Sequence, residues 1–73
     1  MKYKVKYTDN TGNNDCIAEF NTEEEAERFI EEGLNLCREN NQDYECNYGN
    51  FGNTTEFWVC DDVEYATWER MWL

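Results

Sequence analysis

Apolar and polar positions in this chain repeat with two periods. Over residues 2–7, Lys2, Lys4 and Lys6 alternate with Tyr3, Val5 and Tyr7, and a period of two predicts a strand with a lysine face and an aromatic face. Cys16–Phe20 (CIAEF) reads as a second short strand, with Cys16, Ala18 and Phe20 pointing one way and Ile17 and Glu19 the other. The period then changes. Ala26, Phe29, Ile30, Gly33, Leu34 and Cys37 recur at steps of three and four, with Leu36 on the edge of the stripe. That is helical spacing. Alternation returns at Asp43–Tyr48 (DYECNY), with Tyr44, Cys46 and Tyr48 expected inward, and Glu56–Cys60 (EFWVC) reads as a fourth strand.

The punctuation agrees with these elements. Thr8–Asp15 (TDNTGNND) is dense in turn formers and reads as a hairpin loop. It lacks the spacing of a calcium loop and the distal glutamate such a loop needs. Thr22, with Glu25 three residues on, forms a capping-box pattern that starts the helix. Asn40 or Asn41 is placed to close it in the left-handed conformation. Gly33, near the centre of the apolar stripe, is a costly helical residue. Its presence predicts a helix lying low on a sheet. Gly49–Thr55 (GNFGNTT) reads as a turn.

Asp61–Leu73 fits two patterns. As a helix, Asp61 caps it, Glu64 completes a capping-box-like pair, and Tyr65, Trp68 and Trp72 share a side. As a strand, Val63, Tyr65, Thr67, Glu69 and Met71 alternate with Glu64, Ala66, Trp68, Arg70 and Trp72. The expectation is a short C-terminal helix, with a fifth strand as the alternative. The whole chain, residues 1–73, is then one α+β domain: a small antiparallel sheet of about four strands in ββαββ order, with one helix packed on one face.

Composition narrows the chemistry. The 73 residues include 17 acids against 6 bases, for a net charge of −11. All three lysines lie in residues 2–6. Such a chain repels nucleic acid and anionic membranes and is drawn to basic surfaces. Aromatics at 16% and apolar residues at 40% argue for a folded core rather than an acidic disordered tail. The N-terminus shows no apolar leader and no run reaches transmembrane length, which predicts a cytoplasmic protein. Cys16, Cys37, Cys46 and Cys60 permit three disulfide pairings but read as reduced thiols in that compartment. With no histidine and no C-x-x-C pair, zinc is not expected, and no cofactor motif is present. The absence of histidine and serine removes the usual catalytic triads, so no enzymatic activity is expected.

The helix is the most informative stretch. Opposite its apolar stripe stand Glu24, Glu27, Glu31, Glu32 and Glu39, with Arg28 and Arg38 among them. Glu24, Glu27 and Glu31 are three and four residues apart, so their side chains lie roughly 5–6 Å apart, comparable with successive phosphates. Clustered like charge lowers stability, and a pattern kept at that cost points to use. A carboxylate row can occupy the Lys/Arg groove by which another protein holds DNA or RNA. Asp61, Asp62 and Glu64 extend this surface, with Trp68 and Trp72 as hydrophobic anchors.

In size, charge and make-up, a short acidic α+β chain with EEEAERFIEE on its helix, this sequence resembles the small phage-encoded inhibitors of bacterial defence, including anti-CRISPR proteins. The resemblance covers overall character and no aligned motif, so no family site is carried over. It implies a non-enzymatic protein in the host cytoplasm that blocks a nuclease complex at its nucleic-acid or PAM-reading surface. The expected partner is a protein with a basic nucleic-acid-binding surface, with no direct nucleic-acid or membrane contact; a homodimer remains open. The alternative is a small structural or regulatory interaction module that binds through the C-terminal aromatics and whose acidic face is merely solvated.

Overall fold

A computed structural model of the chain describes residues 2–10, 16–59 and 64–72. It contains strands β1 (Tyr3–Asp9) and β2 (Cys16–Phe20), helix α1 (Glu23–Asn40), and strands β3 (Cys46–Phe51), β4 (Thr54–Val59) and β5 (Tyr65–Arg70). The strands form one antiparallel sheet in the order β2-β1-β5-β4-β3, and α1 packs on one face. The fold is α+β, as the pattern predicts, with five strands instead of four.

The C-terminal segment corrects the expectation of a helix. Residues 65–70 form the central strand, in register with β1 on one side (Tyr7↔Trp68) and β4 on the other (Thr55↔Trp68). Local capping signals favour a helix here, but β1 and β4 would each be left with an unpaired edge. One strand between them satisfies both sets of backbone groups, a saving no isolated helical turn matches. It also buries Ala66 and Trp68 at 1% exposure each. The acid expected to stabilise the helix start is used otherwise: the Glu64 carbonyl accepts from the Val59 N–H, and its carboxylate accepts from Asn41 Nδ2 at 3.1 Å. Asp61 and Asp62 lie outside the described residues.

β2 and β3 are the two edges of the sheet, so the helix that joins them crosses it. At one side Phe29 of α1 packs on Phe20 of β2, ring centroids 5.2 Å apart. At the other, the Arg38 guanidinium lies 5.9 Å from the centroid of the Tyr48 ring on β3. Between them, Gly33 sits over the indole of Trp68. A Cβ at Gly33 would stand 3.0–3.2 Å from three atoms of that ring, so the glycine is there for close approach. Gly33→Val is expected to lower the unfolding free energy by about 1–3 kcal/mol through overpacking, despite glycine's own helical cost of about 1 kcal/mol. A urea midpoint that rises instead would show that the indole yields.

The helix start matches its pattern. Thr22 Oγ1 accepts from the Glu25 N–H at 3.2 Å, and its hydroxyl donates to Glu25 Oε1 at 3.1 Å. The helix end does not. Asn41 has φ −124°, outside the left-handed region. Its buried side chain closes the helix by donating to the Cys37 carbonyl at 2.8 Å. Two strand boundaries also shift. The turn expected over residues 49–55 contracts to Gly52–Asn53, with Gly52 at φ 63°. A two-residue hairpin needs a positive φ there, and glycine supplies it without strain. This extends β3 and β4 toward each other. Tyr44 falls before β3 and is exposed, against expectation. Tyr48 does face the helix side but lies on the edge strand, beyond full cover.

Candidate interaction surfaces

All buried sheet residues lie on the helix side. Val5, Asp9, Thr55, Phe57, Val59, Ala66 and Trp68 are joined there by Tyr3, Tyr7 and Arg70. Antiparallel partners share a face, so the register assigns every strand residue to the covered side or the open one.

The proposed site residues separate into three groups on this frame. Trp68, expected as an exposed anchor, is 1% exposed and belongs to the core. The cause is its position on the inward phase of the central strand. Trp72 is half-buried against Tyr3, with centroids 5.4 Å apart in an edge-to-face arrangement. Its Nε1 is buried without a hydrogen-bond partner among the described residues. Glu64 is half-buried and held by Asn41.

Glu27 has an internal partner. Arg70 Nε and Nη2 donate to its two carboxylate oxygens at 2.6 and 2.8 Å, a bidentate pair. The Arg70 side chain is only 14% exposed. Its third nitrogen donates to Thr55 Oγ1 at 2.9 Å, and the Thr55 hydroxyl donates to Asn50 Oδ1. One polar chain therefore ties α1 to β5, β4 and β3. The hydrogen bonds from Arg70 hold the Glu27 carboxyl below its usual range, and the same bonds hold Arg70 above its own. Nothing in the linear sequence pairs position 27 with position 70. The only available signal was an arginine on the apolar phase of a strand.

Glu24, Glu31 and Glu32 remain on the exposed surface of the helix. Glu24 makes a solvated pair with Arg28 at 3.5 Å. The glutamates at 23, 24 and 25 occupy the first turn, where the positive end of the helix dipole favours them. Glu31, Glu32 and Glu39 have no such support, and they form no ion pair among the described residues. Glu39 sits in the last turn, where the dipole disfavours it.

Hollows flank this face, one of about 220 Å³ lying between Phe20, Glu25, Arg28, Phe29 and Glu32. A larger one, about 530 Å³, opens at the helix C-terminus between Arg38, Glu39, Gln42 and Tyr44. A smaller one, about 180 Å³, lies beside Gly33 between Phe29, Leu36 and Cys37 of the helix and Tyr7 and Trp68 of the sheet. Burial pushes up the pKa of both Tyr7 and Cys37. The Tyr7 hydroxyl also donates to Asp9 Oδ2 at 2.6 Å. Both groups are thus held in their neutral forms, the opposite of what a nucleophile needs. No group of three or more metal-ligating side chains is gathered among the described residues.

The open face of the sheet went unnoticed in the sequence. It carries Phe51 and Tyr65, 56% and 49% exposed, with the half-buried Trp58 between them. Phe51 folds over Gly49, whose absent Cβ leaves room for the ring. The alternation of EFWVC already placed Trp58 opposite Phe57 and Val59, and that phase was the available signal.

The chain defines a five-stranded antiparallel α+β fold with one face covered by a single helix. It matches no protein-family model, no curated protein and no solved structure. No helix among the described residues is long and apolar enough to cross a membrane.

Proposed function

We propose that this protein is a non-enzymatic inhibitor whose acidic helix face occupies the basic, nucleic-acid-binding surface of another protein, such as a bacterial defence nuclease complex. One observation carries the reading. Glu31, Glu32 and Glu39 are exposed carboxylates with no ion pair among the described residues, on a helix of seven glutamates and two arginines. Local stability does not account for them: Glu31 stands four residues from Glu27, where like charges repel, and Glu39 lies in the last turn, where the helix dipole disfavours it. A partner presenting lysines and arginines relieves that repulsion and releases the counterions it held. Glu27 is excluded from the contact row, since its carboxylate is engaged by Arg70. The row is therefore Glu31, Glu32 and Glu39, with Glu24 held beside it in a solvated pair by Arg28. The alternative, an interaction module using C-terminal aromatics, loses Trp68 to the core and keeps the half-buried Trp72 and the exposed Tyr65.

The test is capture of partners from bacterial lysate on the immobilised chain. A nucleic-acid-binding protein retained in low salt is expected to leave in high salt and to be displaced by duplex DNA. The triple variant Glu31→Gln, Glu32→Gln, Glu39→Gln is expected to lose at least about tenfold in affinity, at unchanged or higher thermal stability. Retention of the partner by that variant would sink the reading.

A further inference from the structure

We infer that the open face of the sheet is a self-association surface, on which a second copy of this chain packs face to face about a two-fold axis running along β5. The inference is independent of the acidic helix, which lies on the opposite face and stays exposed in such a pair.

The first argument is charge. The molecule carries −11, yet the described strand residues of the open face carry two lysines, Lys4 and Lys6, against Glu19, Glu56 and Glu69. This is a nearly balanced surface on a strongly acidic protein. A copy of the same chain can approach it without the repulsion that the helix side would impose.

The second argument is the arrangement of those groups. Register aligns one row across all five strands: Ile17, Lys6, Glu69, Thr54 and Phe51. An axis along β5, the middle strand, reverses this order in the second copy. Ile17, which is 53% exposed, then meets Phe51 of the other copy at both ends of the row. β1 falls over β4 of the other copy, with Lys6 within one row of Glu56. Glu69 meets its own equivalent at the axis, each flanked in register by Lys6. Tyr65 also meets its own equivalent, beside Trp58. The face is thus complementary to itself under a closed symmetry, as a two-fold interface requires.

The third argument is area. Five strands about 4.8 Å apart and six residues of about 3.4 Å each give a face of roughly 24 by 20 Å. Two flat footprints amount to roughly 1,000 Å², before side-chain relief is added, the size of a weak, reversible interface. Sheets packed face to face sit about 10 Å apart.

Sedimentation of the purified chain tests the inference. A reversible dimer of twice 8.8 kDa is expected, with dissociation in the micromolar range. Trp58→Asp is expected to be monomeric at about 200 μM, with an unchanged circular dichroism spectrum and cooperative melt showing that it still folds. Lys6→Glu and Glu56→Lys are each expected to weaken self-association about tenfold. Mixed one to one they are expected to restore it, because each copy then offers the charge the other lacks. A wild-type chain that remains monomeric at about 200 μM overturns the inference and leaves the face to a different partner. So does a dimer that survives in a folded Trp58→Asp, or a mixture of the two charge variants that fails to recover.

Discussion

Trp68→Ala is expected to remove a large share of the stability of the fold. The side chain is 1% exposed, lies under Gly33 of the helix and against the Tyr7 ring at 5.4 Å between centroids, and stands on the strand that joins both halves of the sheet. Truncating a buried tryptophan to alanine costs about 3–5 kcal/mol. A chain of this length is stable by about 4–11 kcal/mol in all, so the variant unfolds at the lower end of that range and keeps a reduced margin at the upper end. Cavity formation accounts for part of the loss and the removed apolar area for the rest. Urea denaturation followed by near-ultraviolet circular dichroism measures the effect. Trp68→Phe, which keeps a ring over Gly33, is expected to lose clearly less. If Trp68→Ala instead unfolds at the wild-type midpoint, Trp68 is not a core residue and its role as an exposed anchor returns.

Glu27→Gln costs about 1–3 kcal/mol, more than removal of any other helix glutamate. The variant leaves a largely buried guanidinium without its anion, and the main part of the cost is that uncompensated charge. Glu27 itself is 42% exposed, so solvent screens the pair and the effect stays below that of a fully buried one. The pH dependence has a definite sign. The folded carboxyl titrates below its unfolded value, so its contribution is fully present above the ordinary carboxylate range. It is lost as pH falls through the lowered folded value. The difference in stability between wild type and Glu27→Gln should therefore shrink below about pH 4 and be constant near neutrality. The double variant Glu27→Gln, Arg70→Met is expected to recover part of the loss, because it removes the stranded charge along with its partner. A Glu27→Gln protein as stable as wild type at neutral pH would mean that the pair contributes nothing, and Glu27 would rejoin the exposed acidic row.

These two positions mark where sequence reasoning succeeded and where it stopped. Thr22, Glu25 and the stripe from Ala26 to Cys37 specify a helix and its apolar side through interactions within four residues. Such terms are local, so they could be read directly from the chain. Gly33 was also informative, because a helical glycine predicts close approach, although the indole it approaches lies 35 positions away. The first two strands were readable for the same reason, as their alternation is strict and the turn residues bound them.

The C-terminal segment was not readable in this way. Its capping signals and its alternation are of comparable strength locally. The choice between them is made by the unpaired edges of β1 and β4, which exist only once the sheet is assembled. That choice then decides the rest: it sends Trp68 into the core, sets Arg70 opposite Glu27, and leaves Phe51, Trp58 and Tyr65 together on the open face. The sequence by itself determined the class of fold, the helix with its two faces, and the excess of negative charge. The tertiary structure alone decided the fifth strand, which carboxylates are committed to internal partners, and which aromatic residues remain outside. The physical reason is that backbone pairing and ion pairing between distant residues depend on sheet order, which no window of a few residues contains.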